Sequence, residues 1–275
     1  MRISVIVPSF NQAEFLDETL RSILEQDHQD KEIIVMDGGS TDGSVDVIRR
    51  YEPHLTFWSS GPDGGQAAAI ANGFGRATGE VVGWLNSDDL LLPGALNRIA
   101  KASQITGTSE VVFYGGHKVI DATGRLMELN PAFREPAWCT ARLGPAICQP
   151  GTFFGRKALE KAGGLDTSLH YGMDMDLWLR FTTNRVPFVR VPGYLASFRR
   201  HSQQKGHTIE WLRRCEQEQA LIRQRYFLME PNSMGYRLAR SFRRVVGLLS
   251  GAQVVTLFYR LIARRTLREY HPNYS

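Results

Sequence analysis

Cysteine is scarce in this chain. Its 275 residues hold three, Cys139, Cys148 and Cys215. They form no CxxC pair, and so odd and sparse a set points to a reducing compartment. No signal-peptide pattern precedes the first strand-like run, which starts at Arg2, so a cytoplasmic protein is expected. No apolar stretch reaches the ~20 residues of a membrane-spanning helix. The nearest, Val245–Tyr259, is broken by Gly247, Ser250, Gly251, Gln253 and Thr256. Neither the dinucleotide fingerprint GxGxxG nor the Gly-Lys-Ser/Thr of a P-loop is present, which argues against a dehydrogenase and a P-loop kinase. Acidic residues are missing from 237–268, where Arg237, Arg240, Arg243, Arg244, Arg260, Arg264, Arg265 and Arg268 lie. No nucleic-acid-binding motif accompanies that charge, so nucleic acid is not an expected partner.

What remains is ordinary for a soluble globular protein: 43% hydrophobic, 22% charged and a net charge of +5. The length suffices for one large domain or a domain with an appendage. The chain is organised around Val81–Leu85, a short apolar run leading straight into Asn86-Ser87-Asp88-Asp89. Such a run suits a strand buried on both faces of a parallel sheet, and Pro93 to Ile99 then reads as the start of a helix. Two adjacent carboxylates at a strand end repel one another unless a cation or a buried hydrogen bond compensates. A hard divalent ion, Mn²⁺ or Mg²⁺, would do so, with a diphosphate supplying further oxygen ligands. The plainer reading is that Asp88 or Asp89 caps the following helix.

The same pattern recurs. Strand-like Arg2–Val7 stops at Pro8-Ser9-Phe10-Asn11, and Ala13–Gln26 has helical spacing. Glu32–Met36 ends in Asp37–Ser44 ahead of a short helix reaching Tyr51, and Leu55–Trp58 ends at Gly61–Gln66 ahead of helical Ala67–Ala77. Strand, loop and helix thus alternate four times up to Asp89, which implies a parallel sheet with right-handed crossovers. Its polar loops meet at the carboxyl edge, where open α/β sheets bind ligands.

These motifs resemble family 2 glycosyltransferases of the GT-A fold. The carriers are Val5-x-x-Pro8-x-x-Asn11, Met36–Ser44, Asp63-Gly64-Gly65-Gln66, Gly79-Glu80 and Asn86–Asp89, and the resemblance spans roughly residues 2–205. It implies an α/β, GT-A catalytic domain over 1–206, with a nucleotide-sugar half to about residue 90 and an acceptor half over 91–206. A basic helical extension would follow over 207–275. By position, Pro8, Ser9, Asn11 and Asp37 match the nucleobase side. Asp63 and Gln66 match the loop near ribose and phosphates, and Asn86, Ser87 and Lys205 also fall on the nucleotide-sugar side. Asp88 matches the metal-binding carboxylate of the DxD-type motif, although Asn86 replaces its first Asp. Gly38, Ala68 and Ala71 also depart from residues common in relatives.

Beyond the tetrad, Val111–Gly116 reads as a strand and turn, followed by a hairpin of 117–120 and 125–129 around Asp121–Gly124. Gln149 and Pro150 resemble the segment beside the transferred sugar. Asp174 and Asp176, two apart on a helix, cannot point the same way. Both could simply favour the helix dipole. By resemblance, Asp174 takes the general-base position, with Met173 in place of the usual Glu, and Asp176 is left a structural or second-layer role beside Asp89. His201 is a candidate metal ligand, and Arg199, Arg200 and Lys205 could neutralise phosphate.

The expected activity is inverting transfer of a sugar from a nucleoside-diphosphate sugar, a UDP-sugar before others, to an acceptor hydroxyl of a glycan or lipid-linked acceptor in polysaccharide or glycoconjugate assembly. Nucleotidyl transfer and non-catalytic nucleotide-sugar binding are the alternatives. The basic tail suits either an anionic membrane surface, at the inner face, or a homo-oligomer.

Overall fold

A computed structural model describes residues 1–202, 204, 209–252 and 256. Lys205, Arg260, Arg264, Arg265 and Arg268 lie outside them, as do most residues after 252. Among the described residues, nine strands form one sheet. Four of them come from the anticipated alternation. β1 (Ile3–Ser9), β2 (Lys31–Asp37), β3 (Phe57–Ser60) and β4 (Val81–Trp84) run parallel in the order β3-β2-β1-β4. The helices between them are α1 (Ala13–Leu24), α2 (Ser44–Tyr51) and α3 (Gln66–Arg76). Alternation along β1 shows why its sequence is apolar throughout. Val5 and Val7 pack with Leu16, Leu20 and Ile23 of α1, while Ile6 faces the opposite layer with Ile70 and Phe74 of α3. Register carries the polar loops to one edge, since Ser9 pairs with Asp37 and Asp37 with Ser60.

The second half departs from parallel order. β5 (Leu90–Leu91) precedes α4 (Ala95–Thr106), and β6 (Val112–Asp121) and β7 (Leu126–Asn130) form a hairpin. The expected strand, turn and hairpin arm over 111–120 are therefore one continuous ten-residue strand. It continues past Gly116, where its register with β9 (Phe188–Arg200) shifts, because the residues beyond pair with β7 on one side and with β9 on the other. α5 (Ala137–Leu143), β8 (Thr152–Gly155), α6 (Arg156–Ala162) and α7 (Met173–Thr183) complete this half. β8 lies antiparallel to β4 at close range: a Cβ added at Gly83 would sit 2.5 Å from the ring of Phe153. Here glycine serves close approach.

The reading of Asp88 or Asp89 as a helix cap does not hold. The next helix starts at Ala95, and Gly94 occupies its cap position. Leu90 and Leu91 intervene as an edge strand against Ser197 and Ala196.

An aromatic cluster ties the halves together. Trp84 stacks on Trp178 with ring centroids 5.7 Å apart and planes 21° from parallel, and Phe74, Phe154 and Phe181 enclose the pair. The last two described helices are α8 (Ile209–Arg225) and α9 (Met234–Leu249). Ile222 of α8 is fully buried and joins, with Leu228, the apolar cluster around Trp178. The Glu218 carboxylate accepts the backbone N–H groups of His170, Tyr171 and Gly172, and Arg225 and Tyr226 donate to Asp176. Among the described residues no helix is long and apolar enough to cross a membrane.

Because α8 shares this core, Ile222→Ala is expected to destabilise the whole fold by ~2–5 kcal/mol, the range for truncating a buried Ile. Urea unfolding followed by near-UV and far-UV signals should shift as one transition. A separate early transition confined to helix signal would show that α8 unfolds on its own.

Candidate active site

The site begins where β4 ends. Trp84 and Leu85 are buried and the chain then turns, with the Asp89 N–H donating to the Asn86 carbonyl at 3.0 Å. Thr19 Oγ1 of α1 lies 2.9 Å from the Ser87 carbonyl and 2.8 Å from that of Asp89, fixing the loop from below. Within the turn the two carboxylates take different surroundings. Asp89 is fully buried and accepts the Arg199 N–H at 2.9 Å and Asn86 Nδ2 at 3.4 Å. Burial, and then the neighbouring Asp88 charge, hold its pKa well above the usual carboxylate range. Asp88 reaches the surface, and its Oδ2 lies 3.0 Å from Nε2 of His201. The His201 ring packs against Phe15, centroids 4.4 Å apart.

That contact fits a divalent cation. One carboxylate oxygen and one imidazole nitrogen face each other, and a metal ion can take the place of the proton between them. Among the described residues no group of three or more His, Cys, Asp or Glu is placed to hold a metal. Two protein ligands nonetheless match the way Mg²⁺ is commonly held, with substrate phosphates and water completing the shell.

Arg199 takes a different place from the one its sequence suggested. It is 1% exposed, and its guanidinium is turned inward. Nε donates to the Asp88 carbonyl at 2.9 Å, one terminal nitrogen to the Ala122 carbonyl at 3.1 Å, and the other pairs with Glu18. It braces the carboxylate loop from within and does not face a phosphate. Arg200 points outward and pairs with Glu128 at 3.2 Å. Neither Arg199 as a brace nor Phe15 as a support for His201 was visible in the sequence, because both contacts join segments more than 100 residues apart.

Along the same edge, Asp37 fastens its own loop. Its carboxylate accepts the N–H groups of Gly39 and Ser40 at 3.1 and 2.9 Å, and the hydroxyls of Ser40 and Ser60 at 2.5 and 2.7 Å. Four donors fill a carboxylate's usual lone-pair sites, so Asp37 shapes the wall of the pocket. Asn11, at φ 51°, receives the Thr41 N–H on its side-chain oxygen, and its own N–H donates to Ser40 Oγ. Ser9 Oγ, next to Pro8, is buried with no hydrogen-bond partner among the described residues. Asp63 Oδ1 accepts the Gly65 N–H at 2.8 Å. Gln66 Nε2 donates to Asn86 Oδ1 at 2.8 Å, so these two residues are tied to each other and Asn86 bridges Gln66 to Asp89. A cavity of about 600 Å³ lies under this edge, lined by Asp37, Ser60, Asp63, Asn72 and Arg76 among others.

The opposite wall comes from the second half. Gln149 Nε2 donates to the Trp84 carbonyl at 2.6 Å, and Pro150 follows in a tight turn. Asp174 and Asp176 both lie in the first turn of α7 and diverge. Asp176 is fully buried and bonds Arg180, Arg225 and Tyr226, so it staples α7 to α8. Asp174 keeps part of its surface open, and in the structure its Oδ1 accepts the Met175 N–H at 2.7 Å. Dense surroundings raise its pKa above the usual range. Cys148 joins the two carboxylate positions: burial raises its thiol pKa first, and the charges of Asp89 and Asp174 both add to the effect. The His170 ring, in the loop entering α7, lies beside Gly65 of the donor-side loop. The structure thus gathers Asp88, Asp89, His201, Asn86 and Gln66 at the end of β4, with Gln149, Cys148 and Asp174 beside them.

Known proteins share this fold. The chain is 36% identical over 178 residues to an uncharacterized glycosyltransferase of Nostoc sp., covering 60% of this chain and 54% of that protein. The chain therefore spans about half the length of that relative. Its fold is similar to that of S. aureus TarS 1-349 in complex with UDP-GlcNAc, with TM-score 0.57 and 18% identity over 74% of this chain and 60% of that one. It is also similar to the mannosyltransferase PcManGT of Pyrobaculum calidifontis, solved with GDP-Man and Mn²⁺, with TM-score 0.59 and 20% identity over 99% of this chain and 76% of that one. The family model for glycosyl transferase family 2 matches residues 4–163, more than half of the chain, and the chain belongs to that family.

Proposed function

We propose that this enzyme transfers a sugar, with inversion, from a nucleoside-diphosphate sugar to an acceptor hydroxyl. The observation that carries the reading is the Asp88–His201 contact at the end of a fully buried strand, with Asp174 nearby in dense, partly open surroundings. The nucleotide lies along the edge formed by Pro8, Ser9, Asn11 and Asp63, in a pocket whose wall Asp37 shapes. A UDP-sugar is the first donor to test, because TarS, similar in fold, was solved with UDP-GlcNAc. Asp88 and His201 hold the metal, Mn²⁺ or Mg²⁺, which when bound would offset the charge of the departing diphosphate.

Asp174 accepts the acceptor's hydroxyl proton. The acceptor oxygen then forms its bond to the anomeric carbon from the face opposite the diphosphate, and the carbon–oxygen bond to the diphosphate breaks with its electron pair on the leaving group. A raised pKa makes the Asp174 carboxylate a better base than an exposed one. Asp89 and Arg199 keep the Asp88 loop in place, and Gln149 holds the second wall to β4 through the Trp84 carbonyl.

Release of free nucleoside diphosphate from a panel of donors, with and without Mn²⁺, tests the proposal. Asp88→Ala should abolish metal-stimulated release while the protein stays folded. Unchanged release at saturating Mn²⁺ would remove Asp88 as a ligand. If donors bind but no nucleotide is released from any, the chain is a nucleotide-sugar-binding protein.

Asp174→Asn should lower kcat by ~10² or more, as for loss of a general base, and leave donor affinity within a few-fold. Collapse of donor affinity would move Asp174 to the donor site.

The same substitution has a stability signature. A carboxyl whose pKa is raised by folding holds its proton more readily in the folded state, so its ionised form costs stability at neutral pH. That cost is absent below the unfolded pKa of about 3.9, grows as the pH rises toward the folded pKa and is full above it. Asn keeps the acceptor for the Met175 N–H and removes the charge. Asp174→Asn should therefore raise the melting temperature at pH 7, with the gain fading as the pH falls toward 4. A lower melting temperature at pH 7 would show that the carboxylate stabilises the fold.

A further inference from the structure

A second cleft, of about 580 Å³, lies on the acceptor side between β6 and the last turns of α9 with the chain just after them. Its inner end is Cys148, next to Gln149, and the charges of Asp89 and Asp174 both reach that thiol. Its walls are mostly apolar, with Phe133 and Ile147 on one side and Leu248 and Ala252 on the other. Among the described residues, Arg244 is the one Lys or Arg that lines it; it is exposed and makes no ion pair with another of them.

α9 adds an independent observation. It is anchored by one face, where Ala239 and Gly247 are buried and Arg243 pairs with Glu135 and donates to the carbonyls of Cys139 and Gly144. Another face carries Met234, Leu238, Phe242, Val245 and Leu249, all exposed at helical spacing. Trp138 of α5 extends this stripe, its ring 5.2 Å from that of Phe242. Arg237, Arg240 and Arg244 are exposed on the same helix, and no acid occurs between residues 231 and 252. An apolar stripe with a purely cationic rim is complementary to an apolar chain with an anionic head.

We infer that this cleft binds the acceptor, and that the acceptor is an amphiphile in which a hydroxyl-bearing head is joined through a phosphate to an apolar chain. The head points inward past Cys148, the phosphate lies at Arg244, and the chain runs between Ile147 and Leu248 toward the exposed stripe of α9. The inference rests on the glycosyltransferase reading for the identity of the ligand as acceptor, but the binding itself can be measured without catalysis.

The test is calorimetric titration of the full chain with three probes below their aggregation concentrations: dodecyl phosphate, dodecanol and inorganic phosphate. Dodecyl phosphate should bind at least about tenfold more tightly than either other probe, the effect of one good charged contact added to apolar burial. Arg244→Glu should remove most of that advantage, and Ala252→Trp, which fills the cleft, should weaken both alkyl probes. Arg237→Glu, on the same helix but outside the cleft, should leave the ranking intact. Equal binding of dodecyl phosphate and dodecanol would overturn the inference, as would wild-type affinity in Arg244→Glu or equal loss in Arg237→Glu. A chain that sediments as a dimer and binds no probe would assign the stripe to a second copy and would also overturn it. If Ala252→Trp fails to fold, the Arg244 and Arg237 pair still decides. Binding that follows this pattern in a protein that releases nucleotide from no donor would sink the glycosyltransferase reading and leave the cleft as an amphiphile site. Nucleotide release without probe binding would do the reverse.

Discussion

The stack of Trp84 on Trp178 is the contact on which the site depends. Trp84 is the last residue of β4, two positions before Asn86 and four before Asp88. Trp178 lies one helical turn after Asp174. One pair of rings therefore fixes the placement of Asp88 and Asp89 relative to Asp174. Offset or stacked aromatic pairs contribute ~0.5–1.5 kcal/mol beyond the area they bury. Here the larger effect is geometric, because Phe74, Phe154 and Phe181 pack edge-on or stacked against the pair. Gln149 strengthens the same seam by donating to the Trp84 carbonyl.

Around that seam the protein keeps groups that folding alone would not favour. Asp89 and Asp174 both have pKa values raised by burial, and Asp89 sits beside a second carboxylate. Each costs stability as an anion, and a fold optimised only for stability would replace them. The cost is limited by backbone N–H groups: Arg199 donates to Asp89 and Met175 to Asp174. Arg199 adds a buried cation close by without neutralising Asp88 directly, since its guanidinium is spent on carbonyl oxygens and Glu18. The outward face of Asp88 is left for His201 and for whatever charge enters the cleft. Such retained strain is the pattern expected where activity and stability compete.

The first half of the fold was legible because its information is local. Buried parallel strands read as apolar runs, each ending in turn residues, and all four were placed within two or three residues of their observed bounds. The convergence of Pro8–Asn11, Asp37, Asp63 and Asp88 followed from parallel direction alone. The second half was harder for a physical reason. β6 is held continuous by partners about 10 and 80 residues away, so its midpoint glycines looked like a turn. β5 is two residues long and exists only because β9 lies beside it. Arg199 looked like a phosphate ligand because sequence shows charge but not direction. Asp174 and Asp176 were separated correctly in orientation by helical spacing, yet only the contacts of Asp176 with Arg180, Arg225 and Tyr226 show what the divergence achieves.

Those contacts also change how the C-terminal helices are understood. A boundary near residue 206 follows the end of the family resemblance and the change in composition. Packing follows another line, because Ile222, Glu218, Arg225 and Tyr226 of the α8 segment complete the environment of α7. α7 carries Asp174, so that carboxylate is held from behind by residues of α8. α9 then builds one wall of the cleft that opens beside Cys148. The two helices thus divide the work: the first sets the position of a carboxylate, and the second shapes what can approach it.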